Sequence, residues 1–88
     1  MTLSFINPSR SYDPRRRLIC FVGHDGMFEI PFFLEVNAIP AFSARASTSE
    51  EDLLSAFDKA RGTIEGVASE AYSHRRQREY VLTSRDFR

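Results

Sequence analysis

The chain has a single cysteine, Cys20, so it can form no internal disulfide and no multi-cysteine metal site. Net charge is also missing. Twelve basic and twelve acidic side chains cancel, which leaves no global field to draw the chain onto nucleic acid or an anionic membrane. Long apolar runs are absent too: the longest span five residues, Leu18 to Val22 for example, against the roughly 20 that a membrane-spanning helix needs. The first ten residues carry no basic start and no apolar stretch of useful length, so no export signal is expected. No Gly-x-Ser-x-Gly, Walker loop or Gly-x-Gly-x-x-Gly occurs anywhere. Together these absences point to a soluble cytoplasmic protein, not an enzyme, with no catalytic, cofactor-binding or metal-binding residues and no membrane contact. What is present is enough for one domain over residues 1–88. A chain of 88 residues with 42% hydrophobic content and eight phenylalanines buries roughly 60–65% of its unfolded surface, which suffices for a modestly stable core.

The clearest local signal is a β-hairpin over 17–33 with its turn at Asp25-Gly26. Asp-Gly favours a two-residue type I′ turn, in which both central residues take positive φ. That turn sets His24 opposite Met27, Phe21 opposite Ile30 and Ile19 opposite Phe32. Ile19, Phe21, Ile30 and Phe32 then share one face, because strand side chains alternate with period two. A slip of one residue would set Phe21 against Glu29 or Pro31 and is disfavoured. The opposite face, with Leu18, Cys20, Val22 and Phe33, is more apolar than a solvated face should be.

Around the hairpin the pattern gives four more elements. Thr2 to Phe5 alternates polar and apolar and reads as an N-terminal strand, followed by a loop rich in turn formers from Asn7 to Pro14, with Tyr12 anchoring it to the core. Glu35 to Ile39 reads as one helical turn stopped by Pro40. A long helix follows over about 49–75. Thr48 and Glu51 form a capping box at its start, with acids at Glu50, Glu51 and Asp52 beside the positive end of the dipole. Its apolar stripe is Leu53, Phe57, Ala60, Ile64, Val67 and Ala71, widened by Leu54, Ala68 and Tyr72. At 1.5 Å per residue such a helix is about 40 Å long, twice the length of a six-residue strand. It must overhang the sheet, pack against a second copy, or bend, and Gly62 and Gly66 mark where a bend is cheapest. Residues 80–83 close the sheet, and Phe87 folds back onto the core. The fold class is α+β: a small, mostly antiparallel sheet with a short and a long helix on one face.

Several of these stretches together resemble a known family. Leu3-Ser4-Phe5, Tyr12-Asp13, the hairpin run Phe21-Val22-Gly23-His24-Asp25-Gly26, the helix positions Phe57 and Ile64, and the closing Asp86-Phe87 are similar to a family of short bacterial proteins known as domain of unknown function 1488. The resemblance covers essentially the whole chain. It implies a small bacterial cytoplasmic α+β protein and brings no catalytic residues with it.

Chemistry-bearing residues are few. His24-Asp25 is the one histidine beside a carboxylate, but neighbours at a turn point apart and the tip is exposed. His74 lies in the last turn of the long helix, where an imidazolium suits the dipole. Cys20 sits mid-strand, the setting of an unactivated thiol. The remaining constellation is basic: Arg15, Arg16 and Arg17 precede the hairpin, and Arg75, Arg76 and Arg78 precede the last strand. They form one phosphate-binding patch if the last strand runs parallel to Leu18–Val22, and lie at opposite ends if it runs antiparallel. The plainer reading makes the first trio a solvated loop and the second a helix cap. Two functions therefore stand as expectations. The first is a non-enzymatic module that binds an unidentified protein or associates with itself; the second is nucleic-acid binding through the arginines.

Overall fold

The computed structural model describes residues 3–38 and 49–87. Four strands, β1 (Arg10–Asp13), β2 (Leu18–Asp25), β3 (Phe28–Glu35) and β4 (Tyr80–Leu82), form one sheet in the order β1-β2-β3-β4. The first three are antiparallel, and β4 runs parallel to β3 with Tyr80 beside Phe32 and Leu82 beside Leu34. Two helices, α1 (Glu50–Lys59) and α2 (Arg61–His74), and two 3₁₀ turns at Val36–Ala38 and Ser84–Phe87 complete the described chain. The helices bury Leu53, Phe57, Ile64, Ala68 and Tyr72 against Ile19, Phe21, Ile30, Phe32 and Leu34 of the sheet, in one core. The fold is thus α+β with the helices on one face. No helix among the described residues is long and apolar enough to cross a membrane.

The hairpin is present but its register differs from the expected one. Phe21 faces Phe32, Ile19 faces Leu34 and Gly23 faces Ile30, which centres the turn on Gly26-Met27. Gly26 has φ 63°, and no other residue of the turn is left-handed. That is the requirement of a type II′ turn, with glycine first, rather than the type I′ turn that Asp-Gly suggests. Each partner moves by two residues, so every side chain keeps its face. Alternation penalises odd slips and is blind to even ones.

The N-terminal strand shrinks to one bridge, Ser4 to His24, with backbone bonds of 2.8 and 2.7 Å. The true edge strand β1 lies inside the stretch read as loop. Turn chemistry there is concentrated at its two ends: Asn7 accepts from the Ser9 amide at 2.9 Å, and Asp13 accepts from the Arg15 and Arg16 amides at 3.0 and 3.3 Å. Ser11 and Tyr12 between them are free to pair, and Tyr12 packs on the core. The short helical turn is 3₁₀, Val36–Ala38. Ile39 and Pro40 lie outside the described residues, as does Thr48 of the expected capping box. The helix is capped one residue later, where the Ser49 hydroxyl accepts from the Asp52 amide at 3.2 Å. The closing strand ends at Leu82, and Phe87 does fold back onto the core.

The long helix is broken, at Ala60 and not at either glycine. Ala60 has φ −100° and ψ 9°, ends α1 and begins α2. Arg61 pins the corner: its guanidinium donates to the Pro8 carbonyl at 2.9 Å, lies 5.0 Å from the Phe57 ring centroid and pairs with Asp58 and Glu65, both at 3.7 Å. A β-carbon at Gly62 or Gly66 would meet nothing within 4 Å among the described residues, so neither glycine serves a close contact with any of them.

The edge strand is tied to α1 by a two-pronged bond from Arg10 to Asp58, at 3.0 and 2.8 Å. That guanidinium holds the Asp58 carboxyl below the usual carboxylate range. A depressed folded-state value stabilises the fold at neutral pH and loses that contribution as pH falls through the carboxylate range. Arg10→Ala is therefore expected to lower Tm by about 2–4 °C at pH 7, the size of an exposed bidentate pair. The gap should narrow between pH 7 and the lowest pH at which the chain stays folded, as Asp58 takes up its proton. Thermal melts at the two pH values check this, and a difference that survives in acid would assign the loss to packing of the Arg10 stem.

Candidate functional site at the hairpin tip

The strand direction decides the fate of the arginine clusters. Because β4 is parallel to β3, it is antiparallel to β2, and its start lies at the hairpin-turn end of the sheet. Arg75, Arg76 and Arg78 therefore sit near Asp25-Gly26, while Arg15, Arg16 and Arg17 occupy the β1–β2 turn at the opposite end. The two trios do not form one patch. The first is a built turn: Arg16 pairs with Asp13 at 3.2 Å and lies 5.4 Å from the Phe33 ring centroid, and Arg17 takes φ 56°.

Two of the second trio, Arg76 and Arg78, border a groove of about 970 Å³ whose other walls are the hairpin tip, Ile30 and Tyr72. Its origin is a mismatch of lengths. The first residue of β4 pairs with Phe32, so among the described residues β3 from Phe28 to Pro31 has no strand on that side. At about 3.3 Å per residue, Phe28 stands roughly 13 Å beyond the last strand pair. Met27 is 97% exposed and Phe28 74%.

Tyrosines fix both walls. Tyr72, in the last turns of α2, donates its hydroxyl to Asp25 Oδ2 in a short hydrogen bond, and that bond, with burial second, raises the phenol above its ordinary pKa. The Arg76 guanidinium lies 4.8 Å from the centroid of the Tyr72 ring. Tyr80 stacks on Phe32 at 5.1 Å and meets Tyr72 edge-on at 6.0 Å. Its hydroxyl donates to the Arg75 carbonyl in a short bond and accepts from the Gln77 amide at 2.8 Å. This holds the segment between α2 and β4 against the groove, and Arg78 on it forms no ion pair among the described residues.

The other candidates lie elsewhere. His24 and Asp25 are strand neighbours and face opposite sides of the sheet, and Asp25 is engaged by Tyr72. His24 Nε2 is buried without a hydrogen-bond partner among the described residues. His74 Nδ1 is 2.8 Å from the Glu70 carbonyl, one turn back on its own helix. Cys20 lies half-buried on the helix-free face, and burial pushes its thiol above the ordinary value, opposite to nucleophilic activation. Among the described residues no three His, Cys, Asp or Glu side chains gather as a metal site would require.

The sequence over residues 3–83 matches the model of a family described as protein of unknown function, DUF1488. The chain belongs to the DUF1488 family. A crystal structure of a DUF1488 protein of unknown function from Shewanella loihica PV-4, at 1.60 Å resolution, has the same fold, with a TM-score of 0.77 over 93% of this chain and 94% of that one. Sequence identity between the two is 18%, so the likeness speaks for the DUF1488 fold and not for any site on it. No curated protein matches the chain.

Sequence reasoning did not find Met27 and Phe28, and it counted Tyr72 only as part of the apolar stripe. The turn residues were visible, but whether the tip outruns its cover depends on where β4 begins, which no local pattern records.

Proposed function

We propose that this DUF1488 chain is a non-enzymatic protein-interaction module that docks its partner in the hairpin-tip groove. One observation carries the reading. Met27 and Phe28 are adjacent and exposed at the mouth of an apolar groove, whereas the large apolar side chains of the inner sheet face are buried. Contiguous exposed apolar surface rimmed by polar groups is the usual mark of a binding site. A cytoplasmic setting belongs to the same proposal and rests on the single half-buried thiol of Cys20.

A second reading, single-stranded nucleic acid, draws on the same place, since Phe28 offers a stacking face in a groove that Arg76 and Arg78 also line. Arg15, Arg16 and Arg17 no longer support it, because they lie at the far end of the sheet. Affinity capture from native lysate, with and without nuclease, separates the two. Protein recovered equally in both halves, retained by the triple Arg15/Arg16/Arg17→Ala variant and lost with Phe28→Ser, is the expected result. Recovery that vanishes with nuclease would move the site to nucleic acid. Recovery indifferent to Phe28→Ser would overturn the groove.

A further inference from the structure

We infer that the N-terminal segment from Leu3 to Ile6 is a strap that opens apart from the rest of the fold, and that β2 beneath it is a docking slot for an extended peptide with apolar side chains two residues apart. The slot is shaped by the missing side chain of Gly23. A β-carbon there would come within 3.0 Å of Leu3 Cδ1 and 3.0 Å of Phe5 Cε1, so these two side chains occupy the space that any other residue would fill. Phe5 also completes a ring cluster, with Phe21 at 6.1 Å and Phe32 at 6.0 Å. Between Leu3 and Phe5, Ser4 exchanges both backbone bonds with His24, at 2.8 and 2.7 Å. The chain's own segment thus shows what the slot takes: one extended strand, one antiparallel bridge and two apolar side chains on the same face.

Three observations make the segment a strap. Its bridge to β2 is isolated, so among the described residues no neighbouring bridge holds it when Ser4 lets go. On the helix side Leu3 is not enclosed, since it lines a cleft of about 450 Å³ with Gly66, Ser69 and Ser73 of α2. Further along, Ile6 is 77% exposed, and the chain is fixed again at Pro8, whose carbonyl accepts from Arg61 at 2.9 Å. Release at Ser4 therefore frees Leu3 to Ile6 while β1 and the helices stay in place. Segments with so few bonds open locally, far below the free energy of global unfolding. An open strap leaves the His24 N–H and C=O unpaired beside two empty apolar sites, and an incoming strand satisfies all of them. The strap is on a short tether, with an effective concentration on the order of 1 mM, so an outside peptide competes better once the strap's own grip is weakened.

Hydrogen exchange on the full chain tests the opening, and a fluorescent synthetic peptide of residues 1–7 tests the slot. The amides of Ser4 and His24 should be protected at least about 100-fold less than that of Phe32 in β3. The peptide should bind Leu3→Ser, whose strap is weakened but whose slot is intact, at least about tenfold more tightly than it binds the parent. A locked form supplies the control. Residues that exchange both backbone bonds have Cα atoms about 5.5 Å apart, within disulfide reach, so Ser4→Cys with His24→Cys, in a Cys20→Ser background, can bolt the strap shut. Peptide binding should vanish in the oxidised lock and return with reductant. Circular dichroism confirms that each variant stays folded. Ser4 and His24 amides that exchange only in step with Phe32 would overturn the strap. A peptide that fails to bind Leu3→Ser at about 1 mM, or that binds the lock as well as the parent, would overturn the slot. Phe28→Ser should change neither readout; a loss of peptide binding there would place the peptide in the hairpin-tip groove and overturn the slot as well.

Discussion

Phe32→Ala is expected to leave the chain unfolded or barely folded at 25 °C, whereas Phe33→Ala, one residue along the same strand, should cost about 1 kcal/mol or less beyond its lost partial burial. Phe32 is fully buried, 0% exposed. It stacks on Phe21 at 5.3 Å and on Tyr80 at 5.1 Å, with Phe5 at 6.0 Å. Truncating such a ring removes its transfer free energy and leaves a cavity, about 3–5 kcal/mol in all. The whole stability of a domain of this size is on the order of 4–13 kcal/mol. The loss also reaches the groove. β4 has three residues and meets β3 through Tyr80 beside Phe32, and Tyr80 is what holds Arg75 and Gln77 in place. Urea denaturation followed by circular dichroism should show the midpoint of Phe32→Ala lowered by about 2–3 M, or no folded baseline at all. Phe33 points to the helix-free face, half-buried under Arg16, so its midpoint should move far less. Equal losses for the two variants would mean that the helices do not cover the face assigned to them.

Which parts of this fold were legible follows from what each pattern measures. Alternation in Leu18 to Val22 and Ile30 to Leu34 assigns faces correctly, because burial on one side of a sheet is a period-two property. It leaves the register open to a shift of two, and Gly26 in the first central position settled that shift through its positive φ. The helical stripe of Leu53, Phe57 and Ile64 likewise marks the buried side but not continuity. The break at Ala60 is a tertiary effect. It lets α1 lie along β1 and α2 along β4, and Arg61 secures it by reaching Pro8, 53 positions away. Glycine was a poor guide to that corner, since helix propensity reports the cost of a residue and not the geometry that the sheet imposes. The arginine trios were visible as letters, yet their separation depends on the direction of a three-residue strand. The groove was the least legible feature, being a gap between elements that end at different heights.

Gly23 supplies the second large effect, and it inverts what glycine does in α2. A β-carbon at Gly23 would come within 3.0 Å of Leu3 Cδ1, 3.0 Å of Phe5 Cε1 and 3.1 Å of Phe32 Cε2. Phe32 is clamped by its own ring stack and cannot give. Leu3 and Phe5 belong to a segment held to β2 by the single bridge between Ser4 and His24. Gly23→Ala should therefore push that segment away from the sheet. Overpacking of this kind costs about 1–3 kcal/mol, against a gain of about 0.4–1 kcal/mol from the stiffer unfolded chain, so a net loss near 1–2 kcal/mol is expected. Gly66→Ala keeps only the gain, because none of the described residues lies within 4 Å of its added carbon, and should stabilise the chain by about 0.5–1 kcal/mol. The same residue change thus moves stability in opposite directions at two positions. Hydrogen exchange localises the first. In Gly23→Ala the amides of Ser4 and His24, which close the bridge, should lose protection first, while that of Phe32 in β3 holds until global unfolding. Uniform loss of protection across the sheet would mean instead that the N-terminal segment is an integral part of the core, and that Phe32 yields along with it.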